Sequence, residues 1–180
     1  KSPHEKLVCV ACHTGFDAEN IPHKDKITEV NCLNCHKNVP LKHSFHPQLA
    51  EAIRNNETPD VGCKDCHGTH DIVSPKVSNS KFNSANIVES CGECHSDVKE
   101  HFTESSHGKA LNQKINGAPN CLSCHLKDIV GIDSTHDTLW HKTTQVQLCL
   151  SCHRDNPEVK LRTSPSTGFI NAYEKSVHGK

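Results

Sequence analysis

One five-residue pattern, C-x-x-C-H, occurs six times in this chain and uses every cysteine it has. The copies are Cys9, Cys12 and His13; Cys32, Cys35 and His36; Cys63, Cys66 and His67; Cys91, Cys94 and His95; Cys121, Cys124 and His125; Cys149, Cys152 and His153. Cysteine pairs at this spacing also occur in zinc sites and in redox dithiols. Neither accounts for the fifth residue. His fills 16 of 180 positions, so six chance matches in six are roughly a one-in-a-million event. Zinc ligands would also be grouped in fours, whereas successive pairs start 23, 31, 28, 30 and 28 residues apart. The pattern is the attachment signature of haem c: two thiols add to the vinyl groups of one porphyrin and the following imidazole binds the iron. Six covalent haem c groups are expected.

That number dictates what the chain can fold into. Only 33% of residues are apolar, and these include the twelve cysteines; there is one Trp, one Tyr and five Phe. Such a composition is too poor to build a protein-only core. Six porphyrins across 180 residues leave 30 residues for each, so the haems must supply the core. The expected fold is mostly irregular with short α-helices and little or no β, the polypeptide wrapped around a chain of six haems. Nine Gly and nine Pro fit long irregular connections. Helix periodicity is limited to 46–55, 87–103, 106–113 and 145–152.

The formal charge is −1, and six ferric haems with their propionates would bring it to about −7. Lys and Arg are scattered without a basic block, which excludes a nucleic-acid interface. No apolar run reaches transmembrane length and no signal peptide is visible. The absence of Met implies a chain that begins after a removed export signal, and it excludes Met/His haem ligation.

Ten His remain for the opposite faces of the irons: His4, His23, His43, His46, His70, His101, His107, His136, His141 and His178. A repeat sorts them. The pattern S-x-H occurs at Ser2-Pro3-His4, Ser44-Phe45-His46, Ser105-Ser106-His107 and Ser176-Val177-His178. After each of the first three come a C-x-x-C-H, a connecting His (His23, His70, His136) and a second C-x-x-C-H. The chain therefore reads as a single domain of three two-haem units, about 1–43, 44–104 and 105–175, plus the opening of a fourth at 176–180. His4, His23, His46, His70, His107, His136 and His178 are the distal-ligand candidates, seven for six irons. The surplus points to one idle His, to a piece of a longer repeat, or to an end His donated to the next molecule in an open head-to-tail assembly.

The remaining His carry plainer expectations. His43 and His141 lie close to better candidates and are expected as propionate partners or surface residues. His101 and His107 fall on different helix faces, so at most one reaches a given iron. Gly after His107 suits close approach of backbone to a porphyrin. Asp71 and Asp137, each following a candidate ligand, could orient it or cap the next turn. Lys24, Lys42, Lys81, Lys109, Lys127, Lys142, Arg154 and Arg162 form the pool of propionate partners.

The six motifs, with Cys66-His67-Gly68-Thr69-His70 and Ser105-Ser106-His107-Gly108, resemble the multihaem c-type cytochromes of metal-, sulfur- and nitrogen-respiring bacteria and archaea. The resemblance implies assembly outside the cytoplasmic membrane, in the periplasm or extracellular space. It also implies haems in alternating stacked and T-shaped pairs, bis-His ligation, and a distal role for the His of S-x-H-G. One subset, the extracellular cytochrome filaments (nanowires), shares a His between subunits. Electron transfer along the haems is the leading expectation, with redox proteins or an extracellular mineral as partners. The polymer subunit and the soluble periplasmic shuttle are its two forms. The alternative from another class is a reductase of nitrogen or sulfur oxyanions, which needs an iron with an open face.

Overall fold

The computed structural model describes residues 2–15, 19, 29–38, 43, 45–126 and 138–177. The described residues form helices and turns and no strand. The helices are α1 (Cys9–Cys12), α2 (Pro47–Asn55), α3 (Cys63–His67), α4 (Ile87–Gly92), α5 (Ser96–Glu104), α6 (Ser106–Asn112), α7 (Cys121–His125), α8 (Thr138–His153), α9 (Pro157–Arg162) and α10 (Ser164–Lys175), with a 3-10 turn at Cys32–Asn34. This is the short-helix, strand-free fold that the composition predicts.

Local chemistry sets most of the boundaries. Pro47 opens α2 at a position where a missing N–H costs nothing. Asn56 closes it in the left-handed conformation (φ 62°), its N–H returning to the carbonyls of Ala52 and Ile53. The helical stretch expected over 87–103 is two helices. The fourth motif straddles the break, and His95, outside helical geometry, caps α5 and accepts the Lys99 N–H at 2.9 Å. Helix α8 begins earlier than periodicity indicated, running through Thr143 and Thr144, which are weak helix formers. Helices α9 and α10 were not foreseen. Asn156 accepts from the N–H groups of Glu158 and Val159 ahead of Pro157, and Pro165 sits in the first turn of α10; both Asn-Pro and Ser-Pro are start signals.

The contacts group the chain into residues 1–90 and 91–180, with three motifs in each. In the first, Ile87 is 1% exposed and Ser80 2%, with Leu49, Ala50 and Ala52 buried on α2. In the second, Leu150 on α8 is the buried apolar residue among those described. Arg154 clamps the end of α8 to α10 through Asp155 (2.6 Å) and Glu174 (3.0 Å). Asn116 donates to Glu158 at 3.0 Å, and Arg162 donates to the Asn116 carbonyl. Arg154, expected as a propionate partner, thus belongs to an ion-pair network.

Candidate haem sites

Each motif is one turn of helix or close to it, and that explains its spacing. Residues i, i+3 and i+4 share a face, so both thiols and the imidazole point the same way. In the first, second and fourth motifs, where the turn is most irregular, the His N–H still closes on the carbonyl of the first Cys at 2.9 Å: His13 on Cys9, His36 on Cys32, His95 on Cys91. The fifth motif is capped on both sides, Asn120 Oδ1 accepting from the Ser123 N–H and Ser123 Oγ from the Asn120 N–H. All twelve cysteines are unbridged, and all are exposed or half-exposed. Among the described residues no three His, Cys, Asp or Glu converge as a metal cluster.

Two observations test whether these residues fit a haem. Apolar side chains that border the motifs stand open: Val8 at 65%, Val10 at 46% and Leu126 at 53% exposure, positions a flat apolar body would cover. The Nδ1 atoms of His13 and His153 are buried without a hydrogen-bond partner. An unsatisfied buried polar atom costs about 1–3 kcal/mol. The first feature fits a site that a bound porphyrin covers.

The structure then brings four motif imidazoles to four others. Ring centres are 6.2 Å apart for His13 and His70, 5.9 Å for His36 and His4, 6.1 Å for His67 and His43, and 5.9 Å for His153 and His107. A metal–imidazole nitrogen bond is about 2 Å and the ring centre lies about 1.1 Å beyond, so two imidazoles on opposite sides of one metal stand about 6 Å apart. Each pair has that separation. Burial holds the His67 imidazolium below its ordinary value, helped by His43 and His36, and burial with neighbouring His153 does the same for His107. Both rings are therefore neutral near pH 7, with a lone pair to offer.

His4, His70 and His107 are thus candidates from the repeat that face a motif His. His43, expected as a propionate partner or surface residue, also stands beside a motif imidazole, that of His67. His46 caps α2 with its ring edge-on to Phe45. His101 donates from Nδ1 to the Asp97 carbonyl at 2.7 Å on α5. His23, His136 and His178, with Lys24, Lys42 and Lys127, lie outside the described residues, as does the side chain of His141.

Local turns explain the recurring sequences. Ser105 caps α6, accepting from the Gly108 N–H at 3.1 Å and donating to the Phe102 carbonyl at 2.6 Å, which seats His107 in the first turn. Ser2 Oγ accepts from the His4 N–H at 3.1 Å in a smaller version of this turn. Gly108 is buried against the backbone of Phe102 and Thr103, so its small size serves helix packing within the protein. Gly68 ends α3 at φ 74°, ψ −166°, a conformation suited to glycine, with Asp71 folded over it. That turn lets His67 and His70, three residues apart, face different partners.

The second and third motifs lie side by side. Burial, with Cys32 as a neighbour, pushes the Cys63 thiol up. Glu29 pairs with Lys64 at 2.8 Å.

Repeated C-x-x-C-H turns, open apolar borders and apposed imidazoles are the features of a multihaem c-type cytochrome, a class that carries electrons on haem c. Comparison with known proteins supports that class. Residues 3–80, under half of the chain, match the cytochrome c3 family. The chain is 28% identical over 147 residues to multiheme cytochrome MtrA of Shewanella baltica, covering 74% of this chain and 40% of that protein. It is 25% identical over 145 residues to cytochrome c-type protein NrfH of Wolinella succinogenes, covering 76% of this chain and 71% of that protein. The chain thus spans well under half of the MtrA length. No solved structure matches it. No described helix is long and apolar enough to cross a membrane.

Proposed function

We propose that the chain is an electron conduit that carries six bis-His haem c groups outside the cytoplasmic membrane. The observation that carries this reading is the set of four apposed imidazole pairs at 5.9–6.2 Å. On this reading the twelve motif cysteines hold the porphyrins. His13 with His70, His36 with His4, His67 with His43, and His153 with His107 hold four irons, and His95 and His125 each hold one face of the other two. The haem iron, when bound, supplies a reversible one-electron couple. At the four paired sites two imidazoles would hold the iron, which would deny an oxyanion a coordination site there, and the cysteines would fix the attachment points. Contact between the second and third motifs supports an electron route through neighbouring sites.

Donors and acceptors on this reading are redox proteins, or a mineral surface. Head-to-tail polymerisation through a shared ligand would draw on His178, because His4 faces His36 of its own chain. His178→Ala should then yield single particles in electron micrographs where wild type gives filaments; filaments unchanged by the substitution would end the shared-ligand idea.

The test of the central reading is the purified holoprotein. Its mass should exceed that of the chain by six haems, its oxidised and reduced spectra should be low-spin throughout, and the reduced protein should not bind carbon monoxide. A high-spin fraction with fast carbon monoxide binding would return the reductase reading.

A further inference from the structure

The segment 74–86, between the third motif and α4, is irregular, yet its turns are bonded to one another. Asn83 Nδ2 donates to the Pro75 carbonyl at 3.0 Å. Asn86 Nδ2 donates to the carbonyls of Ser78 (2.7 Å) and Ser80 (2.8 Å). Ser90 Oγ donates to the Lys81 carbonyl at 2.7 Å, anchoring the segment to α4, and the Phe82 N–H is held by Ser80 Oγ at 3.2 Å. Ser80 and Ile87 are almost fully buried beneath it. Ordering a segment of this length without a helix or strand costs backbone entropy at every residue. These bonds offset that cost around a single side chain: Phe82 lies on the imidazole of His67, ring centres 4.5 Å apart and planes 27° from parallel.

We propose that Phe82 is a positioning residue for His67, held by the self-bonded turns of 74–86 so that the imidazole keeps one orientation and one dry face. The inference rests on the reading of His67 as an iron ligand. Two physical effects follow from the stack. The ring blocks rotation of the imidazole about its bond to the metal, and it keeps water from the imidazole face it covers. A ferric bis-imidazole core carries a positive charge that water stabilises, whereas the ferrous core is neutral. Removing the ring therefore favours the ferric form and lowers the potential of that one haem. A residue that merely fills space would be replaced by an aliphatic chain without either consequence.

The experiment compares wild-type holoprotein with Phe82→Leu and Phe82→Tyr by electron paramagnetic resonance and by potentiometric titration followed in the visible spectrum. In Phe82→Leu, one of six low-spin signals should change its g values and one midpoint should move to lower potential, the other five holding; Phe82→Tyr should restore both. Unchanged g values and midpoints in Phe82→Leu, with six low-spin haems present, overturn the proposal even if the melting temperature falls. Should Phe82→Leu not accumulate, Asn86→Ala frees the two carbonyls that shape the turns and must alter the same signal; no change there also overturns the role of Phe82. A wild type lacking haem at the third motif, or high-spin there, would instead overturn the conduit reading itself.

Discussion

Substituting Gly108 by Ala tests the link between helix packing and haem ligation. A Cβ at this position would fall on the Phe102 carbonyl oxygen and 2.7 Å from Thr103 Cα. Ordinary carbon–carbon contact is about 3.5–4.0 Å, so α6 has to retreat from α5 by about 1 Å. His107 is the preceding residue, its ring 5.9 Å from that of His153, and on the proposed ligation a coordinate bond would not stretch by that amount. Overpacking of this kind costs about 1–3 kcal/mol. If the strain is relieved by releasing His107, the five-coordinate population rises by about 5–150-fold. The assay is carbon monoxide binding to reduced holoprotein, with a high-spin band as an independent reading; one haem in six should respond. Melting should fall by about 2–4 °C for each kcal/mol that the iron bond does not relieve. A Gly108→Ala protein with wild-type melting and no new carbon monoxide binding would refute the argument that this glycine seats His107.

The Gly68 turn makes a parallel prediction for another site: Gly68→Ala forces a side chain into φ 74° against Asp71, at a strain of about 1–3 kcal/mol, and should release His70 from His13, seen as one high-spin haem. Ile87→Ala removes the most buried side chain described and should cost about 2–5 kcal/mol in chemical denaturation, with the haem count unchanged. Asp155 is held below its ordinary carboxyl value by Arg154. Its contribution is therefore present above the ordinary value of 3.8 and lost as pH falls through the depressed one. Arg154→Leu should abolish that segment of the acid melting curve, and an unchanged acid limb would show the network to be inert.

The candidate attachment sites were legible because their chemistry is local: C-x-x-C-H puts two thiols and an imidazole on one face of a single turn. The fold class followed from composition, since so few large apolar residues cannot close a core in the absence of the porphyrins. Helices α9 and α10 carried Asn-Pro and Ser-Pro start signals that periodicity alone passes over.

Pairings across space were a different matter. The Ser-x-His repeat singled out His4, His46 and His107 as equivalents, and it did so because Ser shapes a local turn, as Ser2 and Ser105 do. A local turn says nothing about which imidazole lies opposite. Only the tertiary structure sets His43 beside His67, turns His67 and His70 apart at Gly68, and stacks Phe82 on the His67 imidazole. What the sequence determined by itself was the chemistry bound within a single helical turn. What only the folded chain decided was every partnership made across long loops, where closing the ends costs entropy that depends weakly on loop length and leaves little trace in local pattern.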